Sequence, residues 1–123
     1  MVNDMVAGYN NLEVYKSAFY LAIKLHKTTQ SFPDFEKYEL SSQLRRAAVS
    51  VALNIAEGYG RKDSVKEFQH YLRNALGSCN EVCVLLDIVK ALEYIQEAAY
   101  KEVFNEYNIL GKRIYRLREK NIK

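Results

Sequence analysis

Apolar residues recur at intervals of three and four along four stretches of this chain, and none of these stretches alternates between apolar and polar residues as a β-strand does. The intervals predict four helices, over about residues 12–30, 36–57, 64–91 and 96–119. Pro33 separates the first two helices, because proline disfavours a helical conformation at the residue before it and has no N–H to donate. We expect Gly58 and Gly60 to end the second helix in the left-handed conformation that glycine tolerates.

The spacing of apolar residues also predicts which side of each helix faces the core. The predicted core residues are Tyr15, Ala18, Phe19, Ala22, Leu25 and His26 in the first helix, Leu40, Leu44, Ala47, Ala48, Val51 and Ile55 in the second, Phe68, Leu72, Ala75, Cys79, Val82, Leu86 and Val89 in the third, and Tyr100, Val103, Tyr107, Leu110, Ile114 and Leu117 in the fourth. We expect a capping box at the start of the third helix, in which Ser64 and Glu67 each accept a hydrogen bond from the other's backbone N–H. Regular spacing and short connections together predict an all-α protein, a single up-down-up-down antiparallel four-helix bundle domain over residues 1–123.

The second helix has more apolar surface than one core contact requires. Val49 and Leu53 lie about 120° to 180° from its core face at 100° per residue, and Arg45 and Arg46 border them. On the third helix, Gly77 lies opposite the core face and in line with Val84, where a glycine allows close approach of another backbone. We expect these positions to form a contact between subunits, namely Arg45, Arg46, Val49, Leu53, Gly77 and Val84. Alternatively, the glycine is a tolerated surface residue and the leucine a single exposed side chain.

The charge of the chain is concentrated at its C-terminal end. Residues 112–123 contain six Lys or Arg and one acid, a local charge of +5 in a chain whose net charge is +3. Four of these cations point away from the core face of the fourth helix and are candidates for binding nucleic-acid phosphates: Lys112, Arg113, Arg116 and Lys120. Alternatively, they form a solvated basic helix end that complements the helix dipole. Arg45 and Arg46 have the same ambiguity, since arginine binds phosphate or pairs with acids such as Glu57 or Glu81 equally well.

No set of residues has the spacing of a catalytic or metal site. Glu67 and His70 form one Glu-x-x-His pair, whereas a carboxylate-bridged di-iron site needs two such pairs. Cys79 and Cys83 are one helical turn apart, but zinc would need two further ligands. The glycines do not have the spacing of a phosphate-binding loop. We therefore expect no enzymatic activity, no cofactor and no metal.

Several features bear on where the protein acts. No apolar run reaches the about 18 residues that suggest a membrane span. The N-terminus has neither the basic nor the apolar region of a secretory signal. Two cysteines do not make a disulfide framework. We expect a cytoplasmic protein that has no membrane partner.

Two stretches of the second helix, SQLRRAAVS at residues 42–50 and NIAEGYGR at residues 54–61, resemble the signature of the 23S rRNA intervening-sequence proteins, a ribosomal S23-like family. Further similar stretches are LEVY at residues 12–15, KEF at residues 66–68 and ALGS at residues 75–78, so that the resemblance covers about residues 12–118. It implies a bacterial four-helix bundle that assembles as a ring-shaped homopentamer. A related branch comprises the accessory variability proteins of diversity-generating retroelements, which bind nucleic acid and a reverse transcriptase.

One departure from the family pattern affects the second helix. The family usually has a proline between the serine and the asparagine of the signature, where this chain has Ala52. We expect the helix to run through this position without interruption.

Two functions remain as hypotheses. The first is an oligomeric scaffold, expected to be a homopentamer, that binds rRNA or another structured nucleic acid through its basic surface. The second is a protein–protein adaptor without nucleic acid, in which the apolar outer faces and the ten tyrosines contact a protein partner.

Overall fold

The computed structural model describes residues 8–120, and four long helices account for most of this range. The helices are α1 (Glu13–Thr29), α2 (Leu40–Gly60), α3 (Val65–Ala91) and α4 (Glu97–Lys120). Short 3₁₀ turns, Gly8–Asn11 and Asp34–Glu36, precede α1 and α2. No strand is present between residues 8 and 120, so the predicted all-α class is confirmed.

Each helix packs against the next one along the chain, and α1 also packs against α4, which closes the bundle. Contacts between α3 and α4 show their relative direction. Near the start of α3, the Gln69 side chain donates to the Arg118 carbonyl at the end of α4 over 3.4 Å. Near the end of α3, Asp87 accepts a hydrogen bond of 2.5 Å from the Tyr100 hydroxyl at the start of α4. The two helices are therefore antiparallel, as the short connection between them predicts.

The bundle core contains the predicted faces of α2, α3 and α4. All seven predicted residues of α3 are buried, and the predicted residues of α2 and α4 are buried except for Leu40, Tyr100 and Leu117, which are half-buried near the helix ends. Helix α2 runs through Ala52 without interruption, as the absence of proline predicts. Ser50 and Ser78 join α2 and α3 by a hydrogen bond of 2.8 Å beside this core.

The predicted core face of α1 is partly wrong. Phe19 is 53% exposed and His26 is also exposed, whereas Val14 and Leu21 are buried. The buried residues of α1 are Val14, Ala18, Leu21, Ala22, Leu25 and Thr29. Helix α1 has apolar side chains around more than half of its circumference, so periodicity could not decide which part faces the core. The buried face of α1 differs from the predicted one because α1 packs against both α2 and α4.

Both ends of α2 differ from the prediction. The helix begins at Leu40 rather than near residue 36, because Glu36 lies in a 3₁₀ turn. The Glu36 carboxylate is buried there and accepts a hydrogen bond of 2.8 Å from the Tyr94 hydroxyl, which raises the pKa of Tyr94. Leu40 also donates its backbone N–H to this carboxylate over 3.4 Å. The predicted first turn of α2 is therefore not helical, and Glu36 in this segment binds Tyr94 of the α3–α4 turn instead.

The prediction that Gly58 and Gly60 end α2 in a left-handed conformation is wrong. The helix includes both glycines, and neither has a positive φ. A Cβ added to Gly58 would lie 3.0 Å from the Tyr71 Cβ, so this glycine allows α3 to approach α2 closely. The helix ends instead through a tightened turn, in which the Arg61 N–H donates to the Gly58 carbonyl over 3.0 Å.

Only half of the predicted capping box at the start of α3 forms. The Ser64 hydroxyl accepts a hydrogen bond of 3.2 Å from the Glu67 backbone N–H, as predicted. The Glu67 carboxylate does not return to Ser64; it pairs with Arg61 over 3.2 Å. The Ser64 N–H donates to the Arg61 carbonyl over 3.0 Å. A nearby guanidinium attracts the carboxylate more strongly than a neutral amide whose own partner is already in place.

Candidate interaction surfaces

An apolar groove runs along the outside of the bundle between α1 and α2. We call it the α1–α2 groove; it has a volume of about 270 Å³ and is lined mainly by Tyr9, Tyr15, Phe19, Ile23, Val49 and Leu53. Four of these side chains are exposed: Phe19 by 53%, Ile23 by 44%, Val49 by 37% and Leu53 by 63%. The α2 half of the groove agrees with the predicted exposure of Val49 and Leu53. The α1 half was missed, because Phe19 was assigned to the core.

Arg45 and Arg46 are adjacent in sequence but differ in their surroundings. The Arg45 guanidinium donates to the Thr29 hydroxyl over 3.3 Å and to the Lys37 carbonyl over 3.2 Å, so it joins α2 to the α1–α2 connection. Arg46 is exposed and has no hydrogen bond or ion pair with any residue from 8 to 120. The predicted candidate partner Glu57 binds Arg61 instead, over 2.9 Å. Of the two arginines, Arg46 is therefore the one whose guanidinium is available to a partner.

A second apolar surface lies on the outside of α3. It consists of Val84 and Ile88 of α3 and of Leu92, the residue directly after the helix; they are 50%, 41% and 47% exposed, and we call this surface the α3 row. Gly77 is exposed two turns before the row, and a Cβ added to it would meet no atom within 4 Å. The fold of the single chain therefore does not require glycine at this position, although glycine is less favourable than alanine in a helix.

The C-terminal part of α4 carries an exposed group of cations that we call the basic end: Lys112, Arg113, Arg116 and Lys120. None of the four forms an ion pair within residues 8–120. Arg118 differs from them, because its side chain donates to the Gln69 carbonyl over 3.3 Å and pairs with Glu119 over 3.3 Å. The structure thus presents to solvent the four cations that the sequence named as candidates for phosphate binding.

A third surface is the groove between α3 and α4, which has a volume of about 420 Å³. We call it the α3–α4 groove, and its lining includes Asn80, Tyr107, Gly111, Lys112, Tyr115 and Arg116. Tyr107 is only 1% exposed, and its hydroxyl has no hydrogen-bond partner among the described residues. Burial raises the pKa of Tyr107, so the hydroxyl keeps its proton. Sequence reasoning assigned Tyr107 to the core and gave no sign of its unpaired hydroxyl.

Cys79 and Cys83 also line this groove; Cys79 is buried and Cys83 is half-buried. Burial, and then the charge of Cys83, raises the pKa of Cys79 to about 12. Burial and the charge of Asp87 also raise the pKa of Cys83. Both side chains are therefore protonated at neutral pH, and neither has the lowered pKa of a reactive or metal-binding thiol.

Within residues 8–120, no group of three or more His, Cys, Asp and Glu side chains is arranged to hold a metal ion. The Glu67 and His70 side chains of the Glu-x-x-His pair have separate contacts: Glu67 binds Arg61 over 3.2 Å, and the His70 ring lies 3.4 Å from the Asn74 amide. A membrane span is also not found among the helices in this range, since none combines the necessary length with sufficient hydropathy.

These features define the class of protein: an antiparallel four-helix bundle whose candidate binding residues lie on its outer faces and in the grooves between its helices. The sequence profile of the 23S rRNA-intervening sequence protein family matches residues 10–116, and the chain belongs to this family. A crystal structure of a protein of unknown function from the S23 ribosomal protein family of Bacteroides thetaiotaomicron is similar to it, with a TM-score of 0.79 and 22% sequence identity over 86% of this chain and 95% of that one. This similarity supports the fold. No curated protein matches the chain.

Proposed function

We propose that the protein is a non-enzymatic homo-oligomeric scaffold of the cytoplasm that binds structured RNA through its basic end. The observation that carries the proposal is the set of four exposed cations on α4, Lys112, Arg113, Arg116 and Lys120, none paired within the described residues. Side chains of this kind neutralise phosphates and release the counterions around them. The family name refers to an intervening sequence of 23S rRNA, which supports RNA as the nucleic acid.

The apolar surfaces support self-association. The α1–α2 groove is a concave surface, and the α3 row lies on a different helix, so a contact between the two would be heterologous. Repeated heterologous contacts produce a closed ring when the rotation between subunits divides a full turn. Burying one large apolar side chain completely contributes about 1.5–3 kcal/mol. We propose a ring, with a homopentamer as the expected size, in which Arg46 borders the contact.

Assembly would increase the effect of the basic end. Each subunit contributes the same four cations, and a linked second contact forms at a high effective concentration. Modest electrostatic contacts by single subunits would then give firm binding by the oligomer. Such binding tolerates many sequences and weakens steeply with salt.

A titration of labelled structured RNA, followed by fluorescence anisotropy at low and moderate salt, tests the proposal. One double variant combines Arg113→Ala and Lys120→Ala. Its control has the same change in charge and combines Arg73→Ala and Lys66→Ala, at two exposed positions of α3. The first pair should weaken binding and reduce the slope of log affinity against log salt by about two. The control should leave the slope unchanged. Absence of binding at both salt concentrations, or equal losses in the two double variants, contradicts the proposal.

One observation favours the adaptor function instead: the α1–α2 groove and the α3 row are both apolar, and apolar surfaces are complementary to proteins rather than to phosphates. If this function is the right one, a defined protein partner co-purifies with the chain in stoichiometric amount and without RNA. Loss of that partner in the Val84→Asp variant would assign the contact to the α3 row.

A further inference from the structure

The hydroxyl of Tyr107 is a buried donor without an acceptor in the described part of the chain. Leaving a polar group buried and unpaired is unfavourable, and native structures contain few such groups. Tyr107 lines the α3–α4 groove, whose outer side chains Lys112 and Tyr115 are exposed. Exposed side chains change rotamer within picoseconds to nanoseconds, so Lys112 and Tyr115 can rearrange around a ligand that reaches the hydroxyl. An acceptor from outside the chain would satisfy the hydroxyl.

Gly111 is a second, independent sign that the groove is kept open. This residue lies inside α4 and lines the groove beside Tyr107. A Cβ added to Gly111 would lie 4.0 Å from the Cys79 Cβ, which is an ordinary contact distance. An alanine would therefore fit, and it would favour the helix more than glycine does. The packing of α3 against α4 does not explain the glycine, but an occupant of the groove would.

Four further lining residues show what kind of occupant fits. Tyr115 is 54% exposed and offers an aromatic face. Asn80 supplies an amide, which both donates and accepts hydrogen bonds. Lys112 and Arg116 place positive charge at the same groove. An aromatic face, an amide and two cations match the base, the base edge and the phosphate of a nucleotide.

We propose that the α3–α4 groove holds one unpaired nucleotide of a bound RNA, with its base against Tyr115, its edge at Asn80 and Tyr107, and its phosphate at Lys112 and Arg116. This inference rests on the proposed nucleic-acid binding and adds a preference for unpaired over duplex RNA. A base within a duplex is stacked on both faces and cannot enter the groove, whereas an unpaired base can leave its stack. The rest of the basic end would contact phosphates of either form of RNA.

The first test compares a labelled oligouridine with an RNA duplex of the same length, by anisotropy. Tyr115→Ala removes the stacking face and should weaken binding of the oligouridine about tenfold, while binding of the duplex is unchanged. Tyr38→Ala is the matched control, since Tyr38 is 84% exposed and lies outside the groove. Gly111→Leu, which fills the groove, should give the same selective loss, and its control is Gly60→Leu, since Gly60 has no atom within 4 Å of an added Cβ.

The second test is Tyr107→Phe, which removes the unpaired hydroxyl and keeps the ring. Without RNA, the melting temperature of this variant should rise, because a buried donor without an acceptor is no longer present. Its affinity for the oligouridine should nevertheless fall several-fold. A purely structural tyrosine would change the melting temperature alone, so unchanged affinity overturns the assignment of the hydroxyl to the ligand.

The outcomes separate this inference from the function on which it rests. If neither the oligouridine nor the duplex binds, RNA binding itself is wrong and the nucleotide site is wrong with it. If both bind and Tyr115→Ala behaves like Tyr38→Ala, RNA binding stands and the nucleotide site is wrong. A selective loss for the oligouridine in both Tyr115→Ala and Gly111→Leu supports the site.

Discussion

Arg45 and Arg46 show how far the surroundings of two adjacent identical residues can differ. Arg45 donates to the Thr29 hydroxyl and the Lys37 carbonyl, so its charge is used within the chain. Arg46, one residue or about 100° further around α2, is exposed beside Val49 and Leu53. The sequence placed both arginines at the border of the apolar surface. It could not separate their contacts, because the position of the α1–α2 connection is a tertiary property.

For Arg46 we expect a role in subunit contact rather than in RNA binding. Arg46→Ala should lower the oligomer mass measured by light scattering, because the guanidinium borders the apolar contact. Arg73→Ala removes an exposed arginine from α3 and serves as the control. An unchanged mass together with a collapse of RNA affinity would show that Arg46 binds phosphate instead.

The buried thiol of Cys79 has a consequence for stability at alkaline pH. Its pKa in the folded chain is raised from 9.0 to about 12, chiefly by burial. A thiol with a raised pKa binds its proton more tightly in the folded state, so its contribution to stability is complete below about pH 9 and is lost as the pH rises towards 12. The urea midpoint should therefore fall above about pH 9, and the fall should be smaller in Cys79→Ala. An equal fall in both proteins would exclude the thiol as a cause.

At the scale of helices, periodicity predicted the buried faces of α2, α3 and α4 because the core residues of each follow one regular run of three- and four-residue intervals, which separates them from outer apolar residues such as Val49 and Val84. It was wrong for part of α1, whose second apolar flank (Phe19 and Ile23) lines the α1–α2 groove. Helix ends were harder to predict than faces. The end of α3 depends on Glu93, which adopts a φ of 64° although it is not a glycine. In α2, Gly58 serves close packing against α3 instead of ending the helix.

The different surroundings of Gly58 and Gly60 allow a direct test of whether Gly58 serves packing between α2 and α3. Gly58→Ala should lower the free energy of unfolding by about 1–3 kcal/mol, because its Cβ would lie too close to Tyr71. Gly60→Ala is the matched variant, since an added Cβ there meets no atom within 4 Å. It should leave stability unchanged or raise it by up to about 1 kcal/mol. Urea unfolding measures both, and equal shifts would contradict a packing role for Gly58.

At the scale of the whole molecule, the bundle has outer apolar surfaces that its own core does not use. The α1–α2 groove and the α3 row expose seven large apolar side chains: Phe19, Ile23, Val49, Leu53, Val84, Ile88 and Leu92. Contiguous exposed apolar surface commonly marks sites of interaction. Four exposed cations on α4 add a surface of different chemistry. In the assembly that we propose, the apolar faces would lie between subunits and the charged ones would face RNA.

The sequence could predict single residues of these surfaces, but not which residues of different helices lie together in one groove. Val49, Leu53 and Val84 were identified because they lie off the core face of a regular helix. Phe19 and Ile23 were not identified, since their exposure depends on how α1 is oriented about its own axis in the bundle. The α3–α4 groove was missed entirely, because Tyr107 and Gly111 become significant only when packing shows an unpaired hydroxyl and a glycine without a steric reason.

The proposed assembly is tested most directly by light scattering at micromolar concentration. The native chain should have several times the 14.3 kDa mass of one subunit, five times for the expected ring. Leu53→Asp introduces a charge into the α1–α2 groove and should give 14.3 kDa, whereas Val65→Asp, at a position 41% exposed at the start of α3, should keep the assembly. A native chain that scatters as a 14.3 kDa monomer, or a Leu53→Asp variant that keeps the native mass, would contradict the account.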